Sequence, residues 1–464
     1  MKDMNTKRAA PRHDLLSFDV LNAIMLERLG NATFYVGRRW SFLKIFQHAL
    51  SNASNRQDIK LLQVNWSLPV LVMTAREVLR SFRGKRLSRP ALKPVVLIDP
   101  GRSVIINGRV EPVYLGRIIE VIGRERVSVI TSRKEGIPYS DHERSALAGS
   151  PGIPDRNERE MIAELCSAYR RARKEGHFSA YELEHLSSTM EVFLCEFRYW
   201  YGIFKGQDIR RCIFTSHYHN EGLVAACNLL GITCEELQHG LIARNDLYNV
   251  YPQAYVRGME NAFFPDVLYV YGEYWKRLLL SGCEHPDEKI VVAGNYLLGS
   301  DPDEGKPGAK QNIILVCSQK KMASTYEQIV SVLRQVLHAH RDWSLLIRLH
   351  PLEDQPARYH AMTGDRIRIC PKEMSLADCL RVSKIQVSVY STTFFDALGF
   401  NVVNFAVNAT GFERYVSEMV EDGVAFPMSL TDDPVARYEA IIREDARLPE
   451  RLDVYAPFRP EVFA

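Results

Sequence analysis

The 464-residue chain reads as an α/β protein made of two doubly wound, parallel-sheet domains. Three observations lead there. From Lys93 onward, short β-rich runs alternate with amphipathic stretches of roughly ten or more residues, the pattern of parallel strands joined by crossover helices. A stretch rich in Gly, Pro, Asp, Ser and Lys over 294–308 divides that pattern in two, as a domain linker would. At roughly one to two hundred residues per domain, the length suits two or three domains. The expected division is a helical N-terminal segment over 1–92, a first α/β domain over 93–295, and a second over 309–430. A terminal helix and tail over 431–464 can pack back on the first domain.

In the opening segment Leu15, Leu16, Val20, Leu21, Ile24 and Leu29 fall on one helical face. The first strand is Val95-Val96-Leu97-Ile98, broken at Asp99-Pro100-Gly101. Ser103 to Ile106 and Arg109 to Val113 flank Asn107-Gly108, the strongest short hairpin signal. A helix from about Tyr114 to Ile122 leads to the strand Val127 to Ile130. Two long helices follow, over 156–175 and 179–204, then the strand Cys212 to Phe214 and a helix over Glu221 to Leu230. The strand Thr233 to Leu237 ends in Gln238-His239-Gly240, and Val267 to Val270 is expected to close the first half. The second half is more regular. Strands at 312–317, 344–349, 366–370, 385–389 and 402–407 alternate with helices at 325–341, 374–382 and 393–399, and helices at 410–421 and 432–445 finish it.

Composition sets limits on function. The chain is 46% apolar and 25% charged, ordinary for a soluble globular protein, which excludes disordered, collagenous and simple coiled-coil classes. A net charge of +3 is too balanced to make nucleic acid the default partner. The nine cysteines include no C-x-x-C pair and several lie in apolar runs, so they read as reduced, mostly buried thiols of a cytoplasmic protein. The basic start lacks the apolar core of a secretory signal, and the longest greasy stretch, Leu68 to Ala75, is far below the ~20 residues of a membrane span. One local anomaly is the basic run from Arg76 to Lys93. It reads either as a solvated helix end and linker or as a patch for peripheral contact with anionic lipid at the inner face of the membrane.

Ligands of open parallel sheets bind beyond the carboxyl ends of the strands, and three strand exits carry polar groups suited to chemistry. His350-Pro351 follows the strand through Leu349, where proline stops the strand and can leave the imidazole at the mouth of the sheet. Ser391 and Thr392 precede the helix from Thr393, where hydroxyls either cap the helix or bind a phosphate beside its free N–H groups. His239, at the Gln238-His239-Gly240 exit, is a natural general base near neutral pH, with Glu235 or Glu236 placed to orient it. His217 and His219 lie in a loop near the cleft and are candidates, with Gln238, for the acceptor side. Gln319 and Lys320 face the cleft from the first strand of the second half, and Lys372 and Glu373 are candidate contacts to a base or ribose. No metal site and no cofactor is expected: no D-x-D follows a strand, and H-E-x-x-H, G-x-G-x-x-G, G-x-S-x-G and the phosphate-binding G-x-x-x-x-G-K-[ST] are all absent.

Taken in order, Glu236-Leu-Gln-His-Gly240, Phe264 to Trp275, Arg348-Leu-His-Pro351 and Tyr390-Ser-Thr-Thr-Phe-Phe-Asp396, with the hairpin Asn107 to Tyr114, resemble the GT-B glycosyltransferases of bacterial capsule and lipopolysaccharide assembly. Within them the set looks nearest to the group related to sialyltransferases, Kdo transferases and teichoic-acid glycerophosphotransferases. The resemblance covers roughly 93–420. It implies two Rossmann-like domains facing each other across a cleft, with the acceptor on the first and a nucleotide-sugar donor, CMP-linked sugars among the candidates, on the second. It further implies metal-independent transfer to a glycan or lipid-linked glycan, with His350, Ser391 and Thr392 on the donor phosphate and His239 as base. No Asp/Glu-Asp/Glu-Gly motif precedes the linker, which departs from the sialyltransferase pattern and favours histidine over carboxylate as base. The alternatives are a CDP-polyol phosphotransferase, a nucleotide-sugar 2-epimerase and a non-catalytic glycan-assembly subunit.

Overall fold

The computed structural model describes Ile45 and residues 91–106, 109–131, 137–144, 156–174, 176, 178–242, 249, 263–282, 287–296, 310–320, 322–351, 353, 355–371, 374–409, 413–431 and 453–464. The expected helices of the first ninety residues, the basic run before Ala91, the Asn107-Gly108 turn, Lys372, Glu373 and the helix at 432–445 lie outside them.

Two parallel sheets organise the chain. The first has seven strands, β1 (Val95–Asp99), β4 (Val127–Thr131), β5 (His142–Glu143), β6 (Arg211–Thr215), β7 (Thr233–Leu237), β8 (Val267–Val270) and β9 (Ile290–Val292), in the order β5-β4-β1-β6-β7-β8-β9. The second has six, β10 (Ile313–Cys317), β11 (Ser344–Arg348), β12 (Ile367–Ile369), β13 (Ile385–Ser388), β14 (Val403–Val407) and β15 (Phe426–Met428), in the order β12-β11-β10-β13-β14-β15. Each is a doubly wound, Rossmann-like sheet whose order reverses once, between β1 and β6 and between β10 and β13. A separate antiparallel hairpin, β2 (Ser103–Ile106) with β3 (Arg109–Pro112), pairs Ser103 with Pro112.

The central strands are apolar along their whole length because both faces are covered. Side chains alternate between two cores. Val96, Ile130, Cys212, Phe214 and Cys234 face one core, with α2 (Arg156–Lys174), α3 (Ala180–Phe204) and α4 (Glu221–Leu230) against it. Val95, Leu97, Val129, Ile213 and Leu237 face the other, with α1 (Gly116–Ile122) and α5 (Glu273–Gly282). Helix α3 begins at a full capping box, in which Ser179 and Glu182 satisfy each other's backbone N–H groups. In the second domain, Ile314, Val316, Leu345, Ile347, Ile385 and Val387 pack on α6 (Ala323–Ala339), while Leu315 and Cys317 meet α8 (Leu376–Val382) and α9 (Thr393–Gly399) on the reverse face. Two short helices, α7 (Pro356–His360) and α10 (Glu413–Glu421), complete the described set.

Two expectations need correction. Val267–Val270 does not close the first sheet, since Ile290–Val292 pairs beyond it. The second sheet extends past 407 to Phe426–Met428. At the end of the first domain's described residues, Tyr296 is fully buried and donates its hydroxyl proton to the Gln238 carbonyl at 2.6 Å. Residues 453–464 run along the first domain. The Tyr274 N–H donates to the Asp453 carbonyl at 3.0 Å, Ala456 N–H to Tyr271 at 2.8 Å and Arg459 N–H to Ala293 at 2.9 Å. The two domains also touch directly, with Trp275 and Phe395 ring centroids 4.6 Å apart and the Tyr274 hydroxyl donating to Asp422 at 2.6 Å.

Candidate functional site

At the reversal point of the first sheet, β1 ends in Asp99-Pro100-Gly101-Arg102 and β6 ends in Thr215-Ser216-His217. Ser216 holds a left-handed backbone, φ +63°, uncommon for a residue with a side chain. Its N–H donates to Glu236 Oε1 at 3.1 Å, which helps fix that conformation. The turn aims the Ser216 hydroxyl at His239, 3.0 Å from Nε2, and the Tyr218 hydroxyl lies 3.1 Å from the same nitrogen. Orientation of His239 therefore comes from two hydroxyls. The expected carboxylates serve elsewhere: Glu235 accepts from Arg211 at 2.6 Å and Tyr269 at 2.9 Å, and Glu236 pairs with the His217 Nδ1.

Three sequence-predicted acceptor residues divide accordingly. His219 is exposed, and its charge helps lower the pKa of His239. His217 is fully buried on Glu236, packed 5.2 Å from the Phe264 ring, so it supports the wall from behind and cannot line it. Gln238 is buried as well. Its Nε2 donates to the Gly240 carbonyl at 3.0 Å and its Oε1 accepts from Tyr271 N–H at 3.0 Å, so it shapes the loop rather than meeting an acceptor. Burial pushes His239 down to about 4, opposed by the Glu236 carboxylate and helped by the Arg102, His219 and His217 charges.

In the second domain, His350 is half-buried at the exit of β11, its N–H donating to Ser318 Oγ at 2.9 Å. Burial lowers its pKa, the Arg102 and Lys320 charges lower it further, and Glu353 opposes them. Arg102 belongs to the first domain. Its charge lowers the pKa of both His239 and His350. Sequence reasoning missed this arginine. It is exposed, and its Nη1 donates at 2.9 Å to the Tyr114 hydroxyl, which in turn donates at 3.2 Å to the His239 carbonyl. The signal that could have found it is positional: Arg102 and Ser216 sit at the two strand exits that flank the reversal point.

Lys320 is exposed beside His350, whereas Gln319 is buried and accepts from Tyr326 and from the Tyr390 N–H, each at 3.3 Å. Gln319 therefore braces the strand exit and does not reach out. Ser391 is half-buried, and its Oγ accepts from Thr393 N–H at 3.2 Å and the Thr393 hydroxyl at 2.9 Å, the capping role weighed for it. Thr392 is half-buried at the N-cap of α9 and makes no side-chain capping bond. Among the described residues no group of three or more His, Cys, Asp or Glu is placed to hold a metal ion, and no helix is long and apolar enough to cross a membrane.

No protein-family model and no curated protein matches the chain. Among solved structures it is similar to the S. aureus MnaA–UDP co-structure, at 12% identity and TM-score 0.47, over 79% of this chain and 91% of that one. A UDP-GlcNAc 2-epimerase from Neisseria meningitidis bound to UDP-GlcNAc matches at 12% identity and TM-score 0.45, over 78% and 95%. The glycotransferase of kitacinnamycin matches at 11% and TM-score 0.47, over 79% and 93%. At these scores none of them assigns a role to a residue of this chain.

Proposed function

We propose that the chain is a GT-B glycosyltransferase, moving a sugar from a nucleotide-activated donor to a hydroxyl of a bacterial surface glycan of the capsule or lipopolysaccharide kind. What supports the reading is that His239 follows a strand of the first sheet and His350 a strand of the second, and that the charge of Arg102 lowers the pKa of both. His239 takes the acceptor proton as the hydroxyl oxygen attacks the anomeric carbon, and the Ser216 and Tyr218 hydroxyls hold the ring for that step. A positioned base of this kind contributes roughly 10²–10⁴ in rate. The bond from the anomeric carbon to the phosphate oxygen breaks, and the nucleotide leaves with its electron pair. Arg102 and Lys320 supply the positive charge that offsets the developing negative charge, and His350 and Thr392 supply hydrogen-bond donors.

The test is a thermal-shift screen against CMP, CDP, UDP, GDP and TDP conjugates, then an assay for free nucleotide with and without glycan acceptor. A conjugate at 100 times its Kd should stabilise the protein by about 2.7 kcal/mol, and nucleotide release should require acceptor. Epimerised donor without acceptor would assign a 2-epimerase. Transfer of polyol phosphate from a CDP-polyol would assign the phosphotransferase, and glycan binding without turnover a non-catalytic subunit. Peripheral contact through the basic run belongs to the same proposal: anionic vesicles should pull the full chain down, less so with added salt, and absence of binding would return the run to a solvated linker.

A further inference from the structure

Beneath the donor-side exits lies a pair of cysteines that the proposed reaction does not use. Cys370 follows β12 and Cys379 lies in α8, and their sulfurs are 3.2 Å apart. Arg348, the last residue of β11, places Nη1 at 3.7 Å from each sulfur and anchors itself by donating to the Met374 carbonyl at 2.6 Å. The Ser375–Asp378 capping box fixes the start of α8, so the second sulfur is held in register with the first.

We propose that Cys370 and Cys379 form a dithiol site that a hydroperoxide converts to an intramolecular disulfide. Two close sulfurs beside a guanidinium are what such chemistry requires, since the thiolate is the nucleophile and a neighbouring cation favours it. The hydrogen bond from Cys379 lowers the Cys370 thiol, and the Arg348 charge adds to this against the burial that raises it. The Cys370 thiolate attacks the distal peroxide oxygen, the O–O bond breaks, and the alcohol or water leaves with a proton, giving a sulfenic acid. The Cys379 sulfur then displaces water from it. The dithiol has lost two electrons and two protons, and the hydroperoxide has become one alcohol and one water.

Cys370 and Cys379 are themselves buried, as are Cys212, Cys227 and Cys234, so the trio is an internal control for the neighbouring charge. Its thiols are pushed up by burial and by the Glu235, Asp266 and Glu236 carboxylates, where Cys370 has the Arg348 guanidinium. The experiment treats the full-length protein with hydrogen peroxide, alkylates free thiols under denaturing conditions, and digests with trypsin. Cleavage after Arg368, Lys372 and Arg381 puts Cys370 on Ile369–Lys372 and Cys379 on Glu373–Arg381. The expected result is these two peptides joined, about 2 Da below the sum of the reduced forms, and separated again by dithiothreitol. The buried trio should remain alkylatable, and Cys370→Ser and Cys379→Ser should each abolish the joined species. Recovery of both peptides in alkylated form while exposed Cys195 oxidises would overturn the proposal, as would Cys370 passing to sulfinic acid with Cys379 still free. The wild-type digest alone decides, so a variant that fails to fold leaves the conclusion intact.

Discussion

Burial keeps the His239 ring neutral down to about pH 4, well below the ordinary 6.5. A neutral imidazole is the competent form of a base, so kcat should stay flat as pH falls from 7.5 to about 5.5, instead of halving near 6.5. The same shift has a sign for stability. Between 6.5 and about 4 the unfolded chain binds the proton that the folded chain refuses, so His239 erodes stability as pH drops through that window. His239→Gln should therefore lose less melting temperature between pH 7 and 5 than the wild type, and an equal loss would contradict the burial argument. The sequence marks His239 and His350 as candidates because each stands at a strand exit beside a residue that breaks the strand, Gly240 and Pro351. It did not distinguish His217 and Gln238 from them. Burial behind a wall depends on the twist of the whole sheet, which no local spacing encodes.

Helix α4 follows directly on the Ser216–Asn220 turn and packs on α3. Gly222, in the first turn of α4, packs so tightly that an added Cβ would lie 2.4 Å from the Phe197 backbone nitrogen and 2.8 Å from Glu196 Cβ. Its N–H donates to Glu196 at 3.3 Å, a carboxyl that burial raises to about 7 despite the Arg144 charge. Gly222→Ala should cost about 1–3 kcal/mol by overpacking, read as a lower denaturant midpoint with unchanged slope. A midpoint within error of the wild type would show that the helices can separate freely. At this scale most of the fold was readable, because short apolar runs such as Ile314 to Cys317 and Leu345 to Ile347 alternate with amphipathic stretches, as buried parallel strands and crossover helices do. The strands that escaped, His142–Glu143, Ile290–Val292 and Phe426–Met428, span two or three residues, too few for a period to register. They form only because a finished sheet offers them an edge.

Across the whole molecule, the tail 453–464 ties the two domains together. It lies on the first domain through Gly272 and Gly294, where a Cβ would meet the Asp453 carbonyl oxygen at 2.1 Å and the Pro457 carbonyl oxygen at 1.9 Å. It reaches the second through the Tyr455 hydroxyl, which donates to Asp396 at 2.6 Å. Gly272→Ala should lift the tail, raising its proteolysis several-fold while the sheets stay protected from hydrogen exchange, and unchanged cleavage would show that the tail is not seated there. The proposed division of labour takes the acceptor proton on the first domain and holds the donor phosphate on the second. Its most direct test is calorimetric titration of the cognate nucleotide into the wild type, His350→Ala and His239→Ala, beside their turnover rates and melting temperatures. His350→Ala should weaken nucleotide binding by roughly ten-fold or more, because a hydrogen bond to a charged group is lost. His239→Ala should bind nucleotide as the wild type does and lose roughly 10²–10⁴ in kcat. Near-normal turnover by a folded His239→Ala protein, or undiminished nucleotide affinity in His350→Ala, would contradict that division.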